Sequence, residues 1–155
     1  MLPELEFIKT KENNWVLLKS PDHISDYIKK NGFWGQKETI IAKAFVLNKK
    51  NVNILDIGAN IGEYTIELLK ETSARIISFE PLPAVFQQLT DATKNYAKRV
   101  ILENKGVGSI EDMLTIHYNP KAPAHASFSE EVKKVSYVSN KEKIEVPVIK
   151  LDSYC

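Results

Sequence analysis

The stretch Asn51–Lys70, NVNILDIGANIGEYTIELLK, limits what the rest of the chain can fold into. Val52 to Ile57 is a short apolar run rich in β-branched residues, the pattern of a strand buried on both faces of a parallel sheet. Small residues follow, Gly58-Ala59-Asn60-Ile61-Gly62, and Glu63 to Glu71 then reads as a helix. Strand, glycine loop and helix, in that order, open a nucleotide-binding α/β unit. Such glycines let the backbone turn sharply and let a ligand lie against bare main chain.

Spacing and charge in the loop narrow the ligand. A dinucleotide site uses G-x-G-x-x-G, with the pyrophosphate on the helix N-terminus. Here the spacing is G-x-x-x-G, with Asp56 at the strand end and Glu63 opening the helix. Two carboxylates flanking the loop would repel a pyrophosphate and suit a ligand that carries positive charge. S-adenosyl-L-methionine is such a ligand, with a sulfonium and an ammonium against one carboxylate. The residues D-I-G-A-N-I-G-E-Y-T resemble the first signature of class I S-adenosylmethionine-dependent methyltransferases. More narrowly, they resemble the D-x-G-A-N-x-G-x-Y-T stretch of the FkbM-type family.

Composition sets the outer bounds. A chain of 155 residues suits one domain with its own core. The net charge of +1 provides no basic field for a nucleic acid. No stretch approaches a membrane span, and MLPELEFIKTKE has acids where a signal peptide needs a basic start and an apolar run. The single cysteine, Cys155, cannot form an internal disulfide, and no cysteine–histidine cluster offers a zinc site. These features predict a soluble, cytoplasmic protein.

Before the glycine loop, Leu5 to Ile8 and Trp15 to Leu18 read as a hairpin. Ser20-Pro21 starts a helix with the stripe Ile24, Tyr27 and Ile28, and Gly32 stops it. After the aromatic turn Phe33-Trp34-Gly35, a second helix from about Lys37 to Leu47 is expected to bury Ile40, Ile41, Ala44 and Phe45. Residues 1–50 thus read as a cover on the sheet and 51–108 as a cofactor-binding βαβαβ core. Residues 109–155 read as a β-rich extension, all within one domain.

Arg75 to Phe79 is a second buried strand, closed by Glu80-Pro81. Glu80 falls about where such a unit places the carboxylate that holds ribose hydroxyls, roughly twenty residues after the first strand. Val85, Phe86, Leu89 and Tyr96 form a helix stripe, and Val100 to Leu102 a third strand ending in Glu103-Asn104-Lys105-Gly106. Met113 to Tyr118, Val132 to Val138 and Ile144 to Ile149 are further strand candidates, and Pro147 predicts an edge strand or a strand end.

The F-E-P triplet and the V-P-V-x-x-L-D segment ending at Asp152 also match what FkbM-type sequences show. The resemblance implies a partial doubly wound Rossmann-like sheet, strands 3-2-1, with the C-terminal half of the domain missing. The first strand would then lie on an open sheet edge prone to self-association. It implies that Asp56, Gly58, Ala59, Asn60 and Gly62 hold the methionine end of the cofactor, bordered by Glu63 and Tyr64. Glu80, beside Pro81, would accept from the ribose, and Asn104 would lie near the adenine with Gly106 close by. The implied reaction is O-methylation of a small molecule, a sugar, lipid or secondary metabolite. Two other readings stay open: a non-catalytic cofactor-binding or interaction module, and a nicotinamide-dependent oxidoreductase. His23, His117 and His125 have no partner at revealing spacing, so no general base is assigned.

Overall fold

The structure, a computed structural model, describes residues 5–9, 14–18, 23–32, 36–129 and 141–154. The expected cap at Ser20-Pro21, the turn Phe33-Trp34-Gly35 and the strand candidate Val132 to Val138 lie outside the described residues. The N-terminal runs pair as a hairpin, with β1 (Leu5–Lys9) antiparallel to β2 (Asn14–Leu18). Helix α1 (His23–Asn31) follows and buries Ile24 and Ile28. Gly32, at φ 87°, ends it by donating its N–H to Ile28 O at 2.7 Å. Trp15 Nε1 donates to Gly32 O at 3.3 Å and ties the hairpin to this turn.

Helix α2 (Gln36–Val46) forms where the sequence predicts, but its buried face is the opposite one. Ile40, Ile41 and Phe45 are 57%, 59% and 70% exposed, and Ala44 is exposed too. The covered stripe is Thr39, Ala42, Lys43 and Val46, and Lys43 Nζ reaches Glu71 Oε2 at 2.6 Å on the next helix. Periodicity located the apolar face, but nothing among the described residues lies over it.

A parallel sheet forms the centre, from β3 (Asn53–Ile57), β4 (Arg75–Phe79) and β5 (Val100–Glu103), in the order β3-β4-β5. Helices α3 (Glu63–Glu71) and α4 (Pro83–Thr93) make the crossovers. This is the 3-2-1 portion of a doubly wound, Rossmann-like sheet. Leu68, Leu69, Ala74 and Ile76 form one buried cluster behind it. The guanidinium of Arg99 donates to the carbonyls of Leu69, Thr72 and Ala74, satisfying acceptors left over at the end of α3. Among the described residues β3 pairs with β4 alone, so its outer edge is open, and Ile57 is 52% exposed.

A second sheet joins β6 (Gly106–Gly108), β7 (Asp112–Tyr118) and β8 (Glu142–Lys150) in the order β6-β8-β7. The expectation of an edge strand for Pro147 is therefore wrong, because β8 is the middle strand. Proline is tolerated because β6 reaches only Val148 to Lys150, so Pro147 faces β7 alone. Strand β6 was missed in the sequence because three residues with two glycines carry no periodicity. The short α5 (Leu151–Tyr154) returns Tyr154 to the first sheet. Its ring stands edge-on to Phe79 at 5.1 Å, and its hydroxyl donates to Glu103 Oε1 at 3.1 Å.

A second buried cluster links these parts: Trp15 and Leu17 of β2, Ile24 and Ile28 of α1, Ile61 and Ile66 around the glycine loop, Val85 of α4, Ile116 and Val146. Among the described residues no helix is long and apolar enough to cross a membrane.

The two loop glycines should respond differently to substitution. Both have left-handed backbone, φ 79° at Gly58 and 96° at Gly62. A Cβ at Gly58 would meet nothing within 4 Å, whereas one at Gly62 would lie 2.8 Å from Leu89 Cδ1. Gly58→Ala should cost about 1–2 kcal/mol of stability, the left-handed penalty alone. Gly62→Ala should cost about 1–3 kcal/mol more through overpacking. Urea unfolding measures both, and equal losses would contradict the packing seen at Leu89.

Candidate functional site

The site grows from the way the glycine loop folds over the end of β4. The N–H groups of Gly58 and Ala59 both donate to Phe79 O at 2.9 Å, and Gly62 N–H closes a turn onto Ala59 O at 2.9 Å. This is possible because Gly58, Asn60 (φ 51°) and Gly62 all take positive φ. The fold-over brings Asn60 above Glu80. Asn60 N–H donates to Glu80 Oε2 at 3.0 Å, and Leu82 N–H donates to Oε1 at 2.8 Å. Asn60 Nδ2 donates to Glu63 Oε1 at 2.9 Å. One residue therefore bridges two acids that lie in different elements.

Both acids are buried, Glu63 at 2% exposure and Glu80 at 6%. Burial pushes the Glu63 carboxyl up to about 7, against its own backbone N–H and Asn60, with Asp56 and Glu80 adding to the rise. Burial likewise pushes Glu80 up to about 7, against the donors Leu82 and Asn60, with Asp56 adding to it. Glu63 Oε2 is buried and has no hydrogen-bond partner among the described residues. Asp56 is raised by burial as well, although Thr65 opposes the shift.

Asp56 and Ser78 are register partners on β3 and β4 and share a sheet face. Thr65 of α3, fully buried, donates its hydroxyl to Asp56 Oδ2 at 2.5 Å and lies 2.8 Å from Ser78 Oγ. With the threonine proton committed to Asp56, Ser78 donates to Thr65. The chain Ser78–Thr65–Asp56 fixes α3 to both strands at the level of the loop. The sequence showed Thr65 within the signature stretch but gave no sign of this role.

Beside the loop lies a cavity of about 370 Å³. Of the residues predicted from sequence, Gly58, Asn60, Glu63, Tyr64, Glu80 and Pro81 line it, and Asp56, Ala59, Gly62 and Asn104 do not. Asn104 Nδ2 donates instead to the carbonyls of Glu80 at 2.8 Å and Pro81 at 3.1 Å, pinning the end of β5 to that of β4. Gly106 lines the cavity, and its close contact is a side chain, since a Cβ there would lie 2.9 Å from Phe128 Cζ.

Sequence reading missed the far wall, which comprises Ile24, Ile116, Pro123, Ala124, Ala126 and Phe128. These come from α1, β7 and the loop after it, whose convergence on the cavity depends on the second sheet. Lys105 also lines the cavity, and its ammonium pairs with Glu103 at 2.7 Å. His125 sits in the same loop but is not among the lining residues.

No curated protein matches the chain significantly. Among solved structures, the chain is similar to the cyclase SpnF, at 15% identity and TM-score 0.40, covering 47% of this chain and 29% of that one. It is similar to a SAM-dependent O-methyltransferase from Thermotoga maritima, at 16% identity and TM-score 0.41, covering 64% and 40%. It is also similar to TYW2 from M. jannaschii in complex with AdoMet, at 14% identity and TM-score 0.42, covering 76% and 66%. The chain thus spans less than half the length of the first two structures. The methyltransferase FkbM domain matches residues 56–155, from Asp56 at the end of β3 onward and well over half of the sequence. The chain belongs to the methyltransferase FkbM domain family.

Proposed function

We propose that the chain binds S-adenosyl-L-methionine in the cavity beside the glycine loop, as the cofactor-binding portion of a methyltransferase. The observation that carries this reading is Glu63, a carboxylate at the cavity with one oxygen buried and unpartnered. Such an oxygen calls for a donor or a positive charge. Gly58 supports the fit, because bare backbone there faces open space that a side chain would fill.

Roles for this chain's residues follow from their bonds. Glu80 holds each oxygen with one backbone donor, leaving lone pairs for the two ribose hydroxyls. Glu63 lends the cavity negative charge toward the sulfonium, and Asn60 sets the position of both acids. Asp56 and Asn104 act at one remove, by fixing the strand ends through Thr65 and through the Glu80 and Pro81 carbonyls. When bound, the cofactor supplies an electrophilic methyl group, and the protein's share is orientation and exclusion of water. The acceptor in this reading is a hydroxyl of a sugar, lipid or secondary metabolite.

The exposed face of α2 and the open edge of β3 favour a second reading, a non-catalytic cofactor-binding or interaction module. Methyl transfer to any acceptor by this chain would exclude it. A nicotinamide-dependent oxidoreductase is disfavoured by the acids around a loop that lacks G-x-G-x-x-G.

Calorimetric titration should show binding of S-adenosylhomocysteine and weaker or no binding of NAD. Tighter binding of NAD would overturn the cofactor assignment. A second prediction concerns Glu80. Its two backbone hydrogen bonds, from Asn60 and Leu82, give it structural weight as well. Glu80→Gln should weaken S-adenosylhomocysteine binding by about ten- to a hundred-fold, a loss of charged hydrogen bonds. It should also cost about 1–3 kcal/mol of stability, because the amide leaves one loop N–H unpaired. Unchanged affinity in a folded variant would show that Glu80 serves the loop alone.

A further inference from the structure

The three acids near the loop differ in what they lack. Glu80 has a donor on each oxygen, and Asp56 has Thr65. Glu63 has Asn60 on Oε1 and nothing on Oε2, although the residue is only 2% exposed. It opens α3, whose N-terminal end favours the ionised form. Among the described residues Lys105 is the one cation lining the cavity, and its ammonium is engaged by Glu103. Once Glu63 ionises, above about 7 in the free chain, the cavity therefore holds negative charge that no cation among the described lining residues compensates.

A methyl donor and its product differ by one unit of charge. In S-adenosylmethionine and S-adenosylhomocysteine the ammonium and carboxylate cancel, and only the donor carries a sulfonium. An uncompensated charge on a residue as buried as Glu63 acts over distances longer than a hydrogen bond. It favours the donor wherever in the cavity the sulfur lies. We propose that Glu63 makes this cavity charge-selective, so that the chain binds the sulfonium donor in preference to the neutral thioether product. The inference rests on the cofactor reading above and adds a consequence for turnover: the product is held less tightly than the compound it replaces.

Titration calorimetry on the wild-type chain and on Glu63→Gln tests it, with three ligands: S-adenosylmethionine, S-adenosylhomocysteine and sinefungin, which carries a protonated amine in place of the sulfonium. The wild type should prefer both cationic ligands to the thioether. Glu63→Gln should narrow that preference by about tenfold, mainly by weakening the cations. Equal weakening of all three ligands would mean that Glu63 reads a group they share and would overturn the proposal. So would an unchanged preference.

Should the variant not fold, the pH dependence of Glu80→Gln decides, because in the wild type Glu80 is raised to about 7 as well. In Glu80→Gln the preference should grow from about pH 5.5 to about 7.5 as Glu63 ionises, and a flat preference would overturn the proposal. Among the described residues the groups facing Glu63 over that range are Asp56 from β3, Glu80 after β4, Tyr64 on α3 and Lys105 in the cavity lining. Failure of the wild type to bind any of the three ligands would instead overturn the cofactor reading, and this inference with it.

Discussion

The structure around the cavity depends on burying carboxylates at the ends of two parallel strands. A carboxylate removed from water must gain donors or lose its charge. Here Asn60 and Leu82 give Glu80 backbone donors, Asn60 gives Glu63 a side-chain donor, and Thr65 serves Asp56. The turn at the glycine loop places both Asn60 donors, the turn after β4 places Leu82, and the first turn of α3 places Thr65. The sign of the resulting pH dependence is fixed. Glu63 and Glu80 hold protons in the folded chain up to about 7, whereas the unfolded chain releases them near 4.5. Their contribution to stability is complete below 4.5 and is lost as the pH rises to about 7. A ligand that favours the ionised acids would offset that loss.

The acids are held from below as well as from above. Ile61, inside the loop, and Ile66, one turn into α3, pack in the same buried cluster as Trp15 and Ile28 from the N-terminal segment and Ile116 from β7. Hairpin, first helix and second sheet therefore all bear on the element that places Glu63. The far wall of the cavity has the same origin, since Ile24, Ile116 and Phe128 reach it only because these parts pack together.

Much of this was legible in the sequence, and what was not has physical causes. The unit β3–loop–α3–β4 was readable because its strands are apolar runs and its turn needs small residues at fixed positions. Glu80 was readable by position, and its burial and two backbone bonds were not. Asp56 and Asn104 stand at strand ends beside the loop, yet their hydrogen bonds go to the protein's own groups. Sequence position cannot say which way a side chain at a strand end will turn. The apolar stripe of α2 was visible, but a stripe identifies a surface and not what covers it. Pro147 misled because proline excludes a ladder bond on one side only, and β6 is too short to need it.

Two buried, protonatable acids line the cavity, and the proposed function has them meet the positive charge of a ligand. Titration of the Glu63 and Glu80 side-chain carboxyl carbons by NMR, in the free chain and with S-adenosylmethionine, tests it most directly. The pair should titrate near 7 in the free chain, and the midpoints should fall toward the ordinary glutamate range when the ligand is present. Midpoints near 4.5 in the free chain, or values that the ligand leaves unmoved, would contradict the account.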